Sequence, residues 1–376
     1  MASTKKGKAG ASPVRPGSVS ASLAGLVDGA AVIVCCGTGG VGKTTTSAAL
    51  AIEAARRGRR AVVVTIDPAR RLADALGVPG GLGNDPVRLP LDGAEGELWA
   101  VMLDTEATFD GLVSQYASTP AQAERILANS FYRSIAGQLS GTQEYMAAER
   151  LLSLHGDPRF DLVVVDTPPS RHALDFLDAP GTLARFLDHP IFRLLMLPAR
   201  RGKKVFDLAT QPVLSAIGKV VGSEVLADAV AFFQAFAGME TGFRDRAQEV
   251  TRLLREDGTA FLLVASPRSD TLAEAGFFAD KLHASGLPVA AMVVNRSTPD
   301  FGAPTGDRPA SAGDRALYDN LASLHHDLEL ERGLVQTAAG QLGLDPAAVS
   351  WVAMLPADVH DMVALDQIRS ALFAGR

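Results

Sequence analysis

The stretch Cys36-Gly37-Thr38-Gly39-Gly40-Val41-Gly42-Lys43-Thr44-Thr45 follows the pattern G-x-x-x-x-G-K-[ST]. Glycines suit such a loop because successive backbone N–H groups must turn inward towards phosphate oxygens, and a Cβ would obstruct that approach. An apolar run precedes the loop and a long helical pattern follows it, so the positive end of the helix adds to the same anion site. Lys43 would reach the β- and γ-phosphates, and the Thr44 hydroxyl would ligate Mg²⁺. The chemistry implied is binding and hydrolysis of a nucleoside triphosphate, read here as ATP.

Two carboxylates sit where such chemistry needs them. The run Thr65-Ile66-Asp67-Pro68-Ala69-Arg70-Arg71-Leu72-Ala73-Asp74 follows a second apolar strand. Asp67 at its end could orient and deprotonate the water attacking the γ-phosphate. An Asp-Pro turn capping the next helix explains the same residues without catalysis. The run Val163-Val164-Val165-Asp166-Thr167-Pro168-Pro169-Ser170 closes a third strand on Asp166, placed to hold Mg²⁺ through its waters. Pro168 and Pro169 keep that segment out of helix, leaving it free to respond to the γ-phosphate.

The elements that must position these groups read as an α/β, doubly wound, mostly parallel sheet. Strands are expected at Ala31–Cys36, Ala61–Ile66, Leu98–Leu103, Leu162–Val165, Ala260–Ala265, Val289–Val294 and Trp351–Leu355. Several are apolar throughout, as strands buried on both faces should be. Helical patterns fill the gaps at Lys43–Arg57, Ala121–Gly137, Thr142–His155, Asp270–Ser285 and Ala316–Leu342. The expected organisation is a disordered tail over residues 1–28, then one ATPase domain over 29–376 with a helical insert at about 181–256. The Pro-, Gly- and Ser-rich segment Ser297–Ala312 reads as a mobile surface loop.

Bulk numbers exclude several classes. A net charge of −6 spread over 376 residues gives no bulk electrostatic signal for a nucleic-acid partner. The apolar runs are too short to span a membrane, and no signal-peptide block follows Lys5, Lys6 and Lys8. The two cysteines, Cys35 and Cys36, are adjacent on one strand and point to opposite faces, so a reduced, cytoplasmic protein is expected.

Together these residues resemble the arsenical-pump-driving ATPase family, which includes targeting ATPases for tail-anchored membrane proteins. The resemblance rests on Gly37–Thr45, on Asp67-Pro68-Ala69 with Leu72 and Asp74, and on Asp166-Thr167-Pro168-Pro169 with His172. It extends to Val293-Val294-Asn295-Arg296 and Leu355-Pro356. It implies a P-loop fold of the deviant Walker A class and a dimer of facing nucleotide sites. It also implies that Asp67 activates water, and that Asn295, Arg296 and the loop at Pro356 hold the base. The insert falls where targeting members bind clients. There, Leu226, Val230, Phe233 and Ala237 follow helical spacing, beside the apolar cluster Phe192, Leu194, Leu195, Met196 and Leu197. A client groove or ordinary core packing would each produce that pattern.

Three departures qualify the resemblance. Thr38 stands where the family usually carries a lysine that reaches across its dimer, so the partner is either a second copy or a related, lysine-bearing ATPase. Cys35 and Cys36 supply neither arsenite nor interfacial zinc ligation. Arg70 and Arg71 replace other polar residues and either contact phosphate or line a solvated helix face. Three functions remain open: an ATPase driving a protein partner, an ATP-clamped targeting or chaperone module with little turnover, and a MinD/ParA-like positioning ATPase. The last is weakened because Met362, Leu365, Ile368 and Leu372 read as core rather than as a tethered membrane helix.

Overall fold

The computed structural model describes residues 22–67, 71–138, 142–168 and 223–374, with the single positions 177, 179 and 181 between them. The chain divides into two compact units, the first from Met1–Val101, Asp157–Ala173 and Arg255–Arg376, the second from Met102–Gly156 and Leu174–Leu254.

The first unit is built on one eight-stranded sheet. Its strands are β1 (Val32–Cys36), β2 (Arg60–Thr65), β3 (Val87–Leu89), β4 (Glu97–Met102), β5 (Leu162–Asp166), β6 (Thr259–Ala265), β7 (Val289–Ser297) and β8 (Val349–Ala353). They lie in the order β3-β4-β2-β5-β1-β6-β7-β8. The pairs from β2 through β5, β1, β6 and β7 to β8 are parallel, and β3 meets β4 antiparallel. Every residue of β1 and of β5 is buried, because helices cover both faces of the centre. The expected α/β class and each of the expected strands are present. The one unforeseen strand, β3, is three residues long and lies between Pro86 and Pro90, too short to show a period.

The helices of this unit are α1 (Leu23–Gly29), α2 (Lys43–Arg56), α3 (Arg71–Ala75), α10 (Ser269–Ala284), α11 (Ala312–Gln341) and α12 (Met362–Phe373), numbered in chain order with those of the second unit. The packed chain starts earlier than the expected residue 29. Ser22 accepts a hydrogen bond from the Gly25 N–H, and Leu23, Leu26 and Val27 of α1 are buried. The remainder of the expected tail lies outside the described residues. At the other end, Leu365, Ile368 and Leu372 of α12 are buried, and Arg369 reaches Glu53 of α2 at 2.7 Å.

The expected mobile loop is instead tied along α11. Thr298 N–H and hydroxyl donate to Glu331 at 2.8 and 2.9 Å. Arg332 pairs with Asp300 at 2.8 Å, Arg308 pairs with Asp319, and Arg315 donates to the Pro309 and Ala310 carbonyls. Composition signalled a loop, and the charges on the following helix hold it.

The second unit is helical: α4 (Thr105–Tyr116), α5 (Pro120–Leu127), α6 (Ser130–Gln138), α7 (Thr142–His155), α8 (Ser223–Phe236) and α9 (Glu240–Leu254). Two stretches of chain build this unit together, and α8 and α9 are the described part of the expected insert. The expected helix Ala121–Gly137 is two helices. Asn129 breaks it, accepting from the Tyr132 N–H at 3.0 Å and donating to the Asp228 carbonyl at 3.0 Å. The core is aromatic: Phe232 stacks on Tyr132, and Phe243 touches Phe109, Tyr116, Tyr145 and Phe236. Phe233 belongs to that core, against Phe131, so the Leu226–Ala237 stripe is at least partly packing. The Phe192–Leu197 cluster lies outside the described residues.

Candidate phosphate-binding site

Parallel strands deliver their C-terminal ends to one edge of the sheet, and the loop after β1 turns there into α2. Two of its glycines are fixed by sterics. Gly37 has φ +154°, and a Cβ would sit 2.2 Å from the Val264 carbonyl oxygen. Gly42 has φ +92°, and a Cβ would sit 2.1 Å from Asn295 Nδ2. Among the described residues, no side chain caps the start of α2 and no acid lies in its first turn. Its leading N–H groups and its dipole therefore face an anion site.

Asp166 ends β5 between the ends of β1 and β2, in register with Cys35 and Thr65. Its Oδ2 accepts from Thr44 Oγ1 at 2.7 Å and from Thr65 Oγ1 at 3.0 Å. Its Oδ1 is buried and has no partner among the described residues. Burial pushes the Asp166 carboxyl up to about 6, against the lowering pull of Thr44, Lys43 and Thr65. An anion so placed, with one oxygen unmet and a Thr hydroxyl on the other, fits a hard divalent cation.

Lys43 is buried, and its ammonium donates to the Thr38 carbonyl at 2.7 Å. Burial lowers its pKa, while Asp166 foremost, then the two cysteines and Asp67, oppose the shift. Thr167 donates to the Cys35 carbonyl at 2.7 Å, fixing the start of the segment after β5. Asp67 is mostly buried, and Arg71 Nη1 lies 3.6 Å from its Oδ2. Pro169, Ser170, His172, Pro68, Ala69 and Arg70 lie outside the described residues.

The opposite wall comes from β7 and the turn after β8. The strand bulges between Asn295 and Ser297, and Arg296 takes φ +61°, rare for a residue with a side chain. The bulge turns the Asn295 amide onto the phosphate loop, where Nδ2 donates to the Val41 carbonyl at 2.8 Å. Asn295 Oδ1 accepts from the Arg296 N–H at 2.9 Å. The amide expected to hold the base therefore already braces the loop.

These elements enclose a cavity of about 860 Å³, large enough for a nucleoside triphosphate. Gly40, Gly42, Lys43, Thr44, Thr45, Asp67 and Thr167 line it together with Asn295, Arg296, Pro356, Asp358 and His360. Arg71 and Asp74 also face it. The structure thus brings Gly40, Gly42, Lys43, Thr44 and Thr45 of the expected phosphate loop, with Asp67, Asn295, Arg296 and Pro356, to one cavity, whereas Gly37, Thr38, Gly39, Val41 and Asp166 are not among its lining residues. Thr65 gave no separate signal in the sequence, because only the β2–β5 register puts its hydroxyl on Asp166. Cys35 and Cys36 are fully buried, and burial raises both thiols, Cys36 to about 12. Among the described residues no helix is long and apolar enough to cross a membrane.

Comparison with known proteins agrees with this geometry. ATPase GET3B of Arabidopsis thaliana is 25% identical over 283 residues, covering 70% of this chain and 63% of that protein. ATPase GET3 of Malassezia globosa is 32% identical over 155 residues, 41% of this chain and 44% of that protein. An uncharacterized protein of Streptomyces coelicolor is 31% identical over 329 residues, 85% of this chain and 74% of its own length. The chain therefore spans less than two thirds of the first two relatives. The family model described as anion-transporting ATPase matches residues 30–307. With that match across the phosphate loop, both switch strands and the Asn295 wall, the chain belongs to the anion-transporting ATPase family.

Proposed function

We propose that the chain binds magnesium-ATP in this cavity and hydrolyses it, and that turnover drives rearrangement of a dimer acting on a protein partner or client. The observation that carries the reading is Asp166, whose Oδ1 is buried and unmet while Thr44 and Thr65 hold Oδ2. Such an anion is costly unless a cation and its waters complete its shell. Thr44 directly, and Asp166 through water, would hold Mg²⁺, which when bound offsets charge on the β- and γ-phosphates.

The chain's own groups do the rest. N–H groups from Gly37 to Thr45 cradle the phosphates, and Lys43 leaves the Thr38 carbonyl for the β- and γ-oxygens. Asp67 accepts a proton from the attacking water as its oxygen bonds to the γ-phosphorus. The bond to the bridging oxygen breaks, and that oxygen leaves with ADP. Arg296, Pro356 and the turn around them receive the base, with Asn295 behind the loop.

Changing Lys43→Ala tests the reading. Mg²⁺-dependent turnover should fall by at least about 100-fold, and undiminished turnover would overturn it. Thr38 favours a second reading of the dimer, in which a related subunit supplies a lysine across the interface. A homodimer of this chain that is fully active alone, seen by light scattering with ATP, rules that out.

A further inference from the structure

We propose that Arg71 is the chain's own transition-state cation, paired with the Asp67 carboxylate in the structure and transferred to the γ-phosphate when ATP binds. The inference rests on the hydrolytic reading above and deepens its account of the site.

Three observations meet at this residue. Arg71 stands four residues after Asp67, and its Nη1 lies 3.6 Å from Asp67 Oδ2. Its side chain is 59% exposed while that of Asp67 is 14% exposed, so the guanidinium is the mobile member of the pair. Both groups line the same cavity as Lys43, Thr44 and Thr45.

Charge gives the direction of transfer. Asp67 and Asp74 line the cavity, Asp166 lies behind it on Thr44, and Lys43 is a buried cation among them. A terminal phosphate passing to water spreads negative charge over its equatorial oxygens, and one lysine shared between two phosphates leaves part of that charge unmet. An open, single-contact ion pair is weak. A doubly charged phosphate presenting two oxygens to a planar guanidinium competes for it readily. The exchange has a second effect: one movement takes the guanidinium off the Asp67 carboxylate and brings it to the phosphate.

The atoms balance as in ordinary hydrolysis. Water oxygen bonds to the γ-phosphorus, its proton goes to Asp67, and the bridging oxygen leaves with ADP. Arg71 exchanges no proton and remains a cation throughout.

The test compares the unaltered chain with Arg71→Ala and Arg71→Lys, reading kcat, KM, ADP affinity and retention of magnesium-ADP with aluminium fluoride. Arg71→Ala should lower kcat by about 100-fold or more, leave KM and ADP affinity within about threefold, and lose the fluoride complex selectively. Arg71→Lys should restore part of kcat, because it keeps the charge without the fork. Retained kcat and fluoride binding in Arg71→Ala would overturn the assignment. So would an equal loss of ADP affinity, which marks a merely structural role. Mixing Arg71→Ala with Lys43→Ala chains decides the geometry: restored turnover means the arginine acts across an interface, against the assignment to its own site. If the unaltered chain neither binds nor turns over magnesium-ATP, the hydrolytic reading fails first and this one falls with it.

Discussion

Asn295 and Val41 lie far apart in the chain, yet the Asn295 amide donates to the Val41 carbonyl at 2.8 Å and is buried. That bond ties the β7 bulge to the phosphate loop, so the loop's shape is set partly from two strands away. Asn295→Ala leaves the Val41 oxygen unpaired at a buried position. The expected cost is about 1–3 kcal/mol of stability, read by chemical denaturation, with weaker ADP binding by titration calorimetry.

Gly42→Ala should disturb the same contact from the other side. The added Cβ would meet Asn295 Nδ2 at 2.1 Å, at a φ of +92°. Nucleotide affinity should fall, and Gly42→Ala combined with Asn295→Ala should cost less than the sum of the two, because the clash is gone. A thermodynamic cycle on ADP binding checks this.

The pH response should centre on Asp166. Its folded-state pKa, about 6, lies above the ordinary carboxylate value. It therefore supports the fold fully below about pH 4 and loses that support as pH rises through about 6. Nucleotide-free protein should gain a few degrees of Tm from Asp166→Asn at pH 7.5, with little gain at pH 5. Magnesium needs the anion, so magnesium-dependent ADP affinity should fall as pH drops below about 6 and be weak and flat in the variant.

In the helical unit, Glu149 pairs with Arg246 while only 3% of its side chain is exposed. Burial raises the Glu149 pKa, against the lowering effect of Arg246. Arg246→Met strands that carboxylate and should cost about 3–5 kcal/mol near neutral pH. The loss should shrink as pH falls, because burial raises the Glu149 carboxyl and lets it take a proton more readily. Glu149→Leu with Arg246→Met should recover much of it, as urea titrations followed by circular dichroism would show.

Much of this was legible in the sequence, for identifiable reasons. β1 and β5 are continuous apolar runs ending at Cys36 and Asp166, and a glycine-rich loop announces its own turn. What escaped were relations fixed by register or by side chains on another element. Thr65 meets Asp166 only once β2 lies beside β5, and Asn295 braces Val41 only because β7 bulges. The 298–311 segment has loop composition, but its ion pairs come from α11, which no local pattern reveals. Asn129 splits a helix because its amide finds a carbonyl of α8, a contact made at long range.

The paired thiols of β1 have a practical use. Cys35 and Cys36 are fully shielded, with burial disfavouring the reactive thiolate in each. They should stay silent towards maleimide probes while the chain is folded. The natural sequence already serves as a background for single introduced cysteines, so spin labels or fluorophores placed on α3 or α8 could follow nucleotide-driven movement without altering β1.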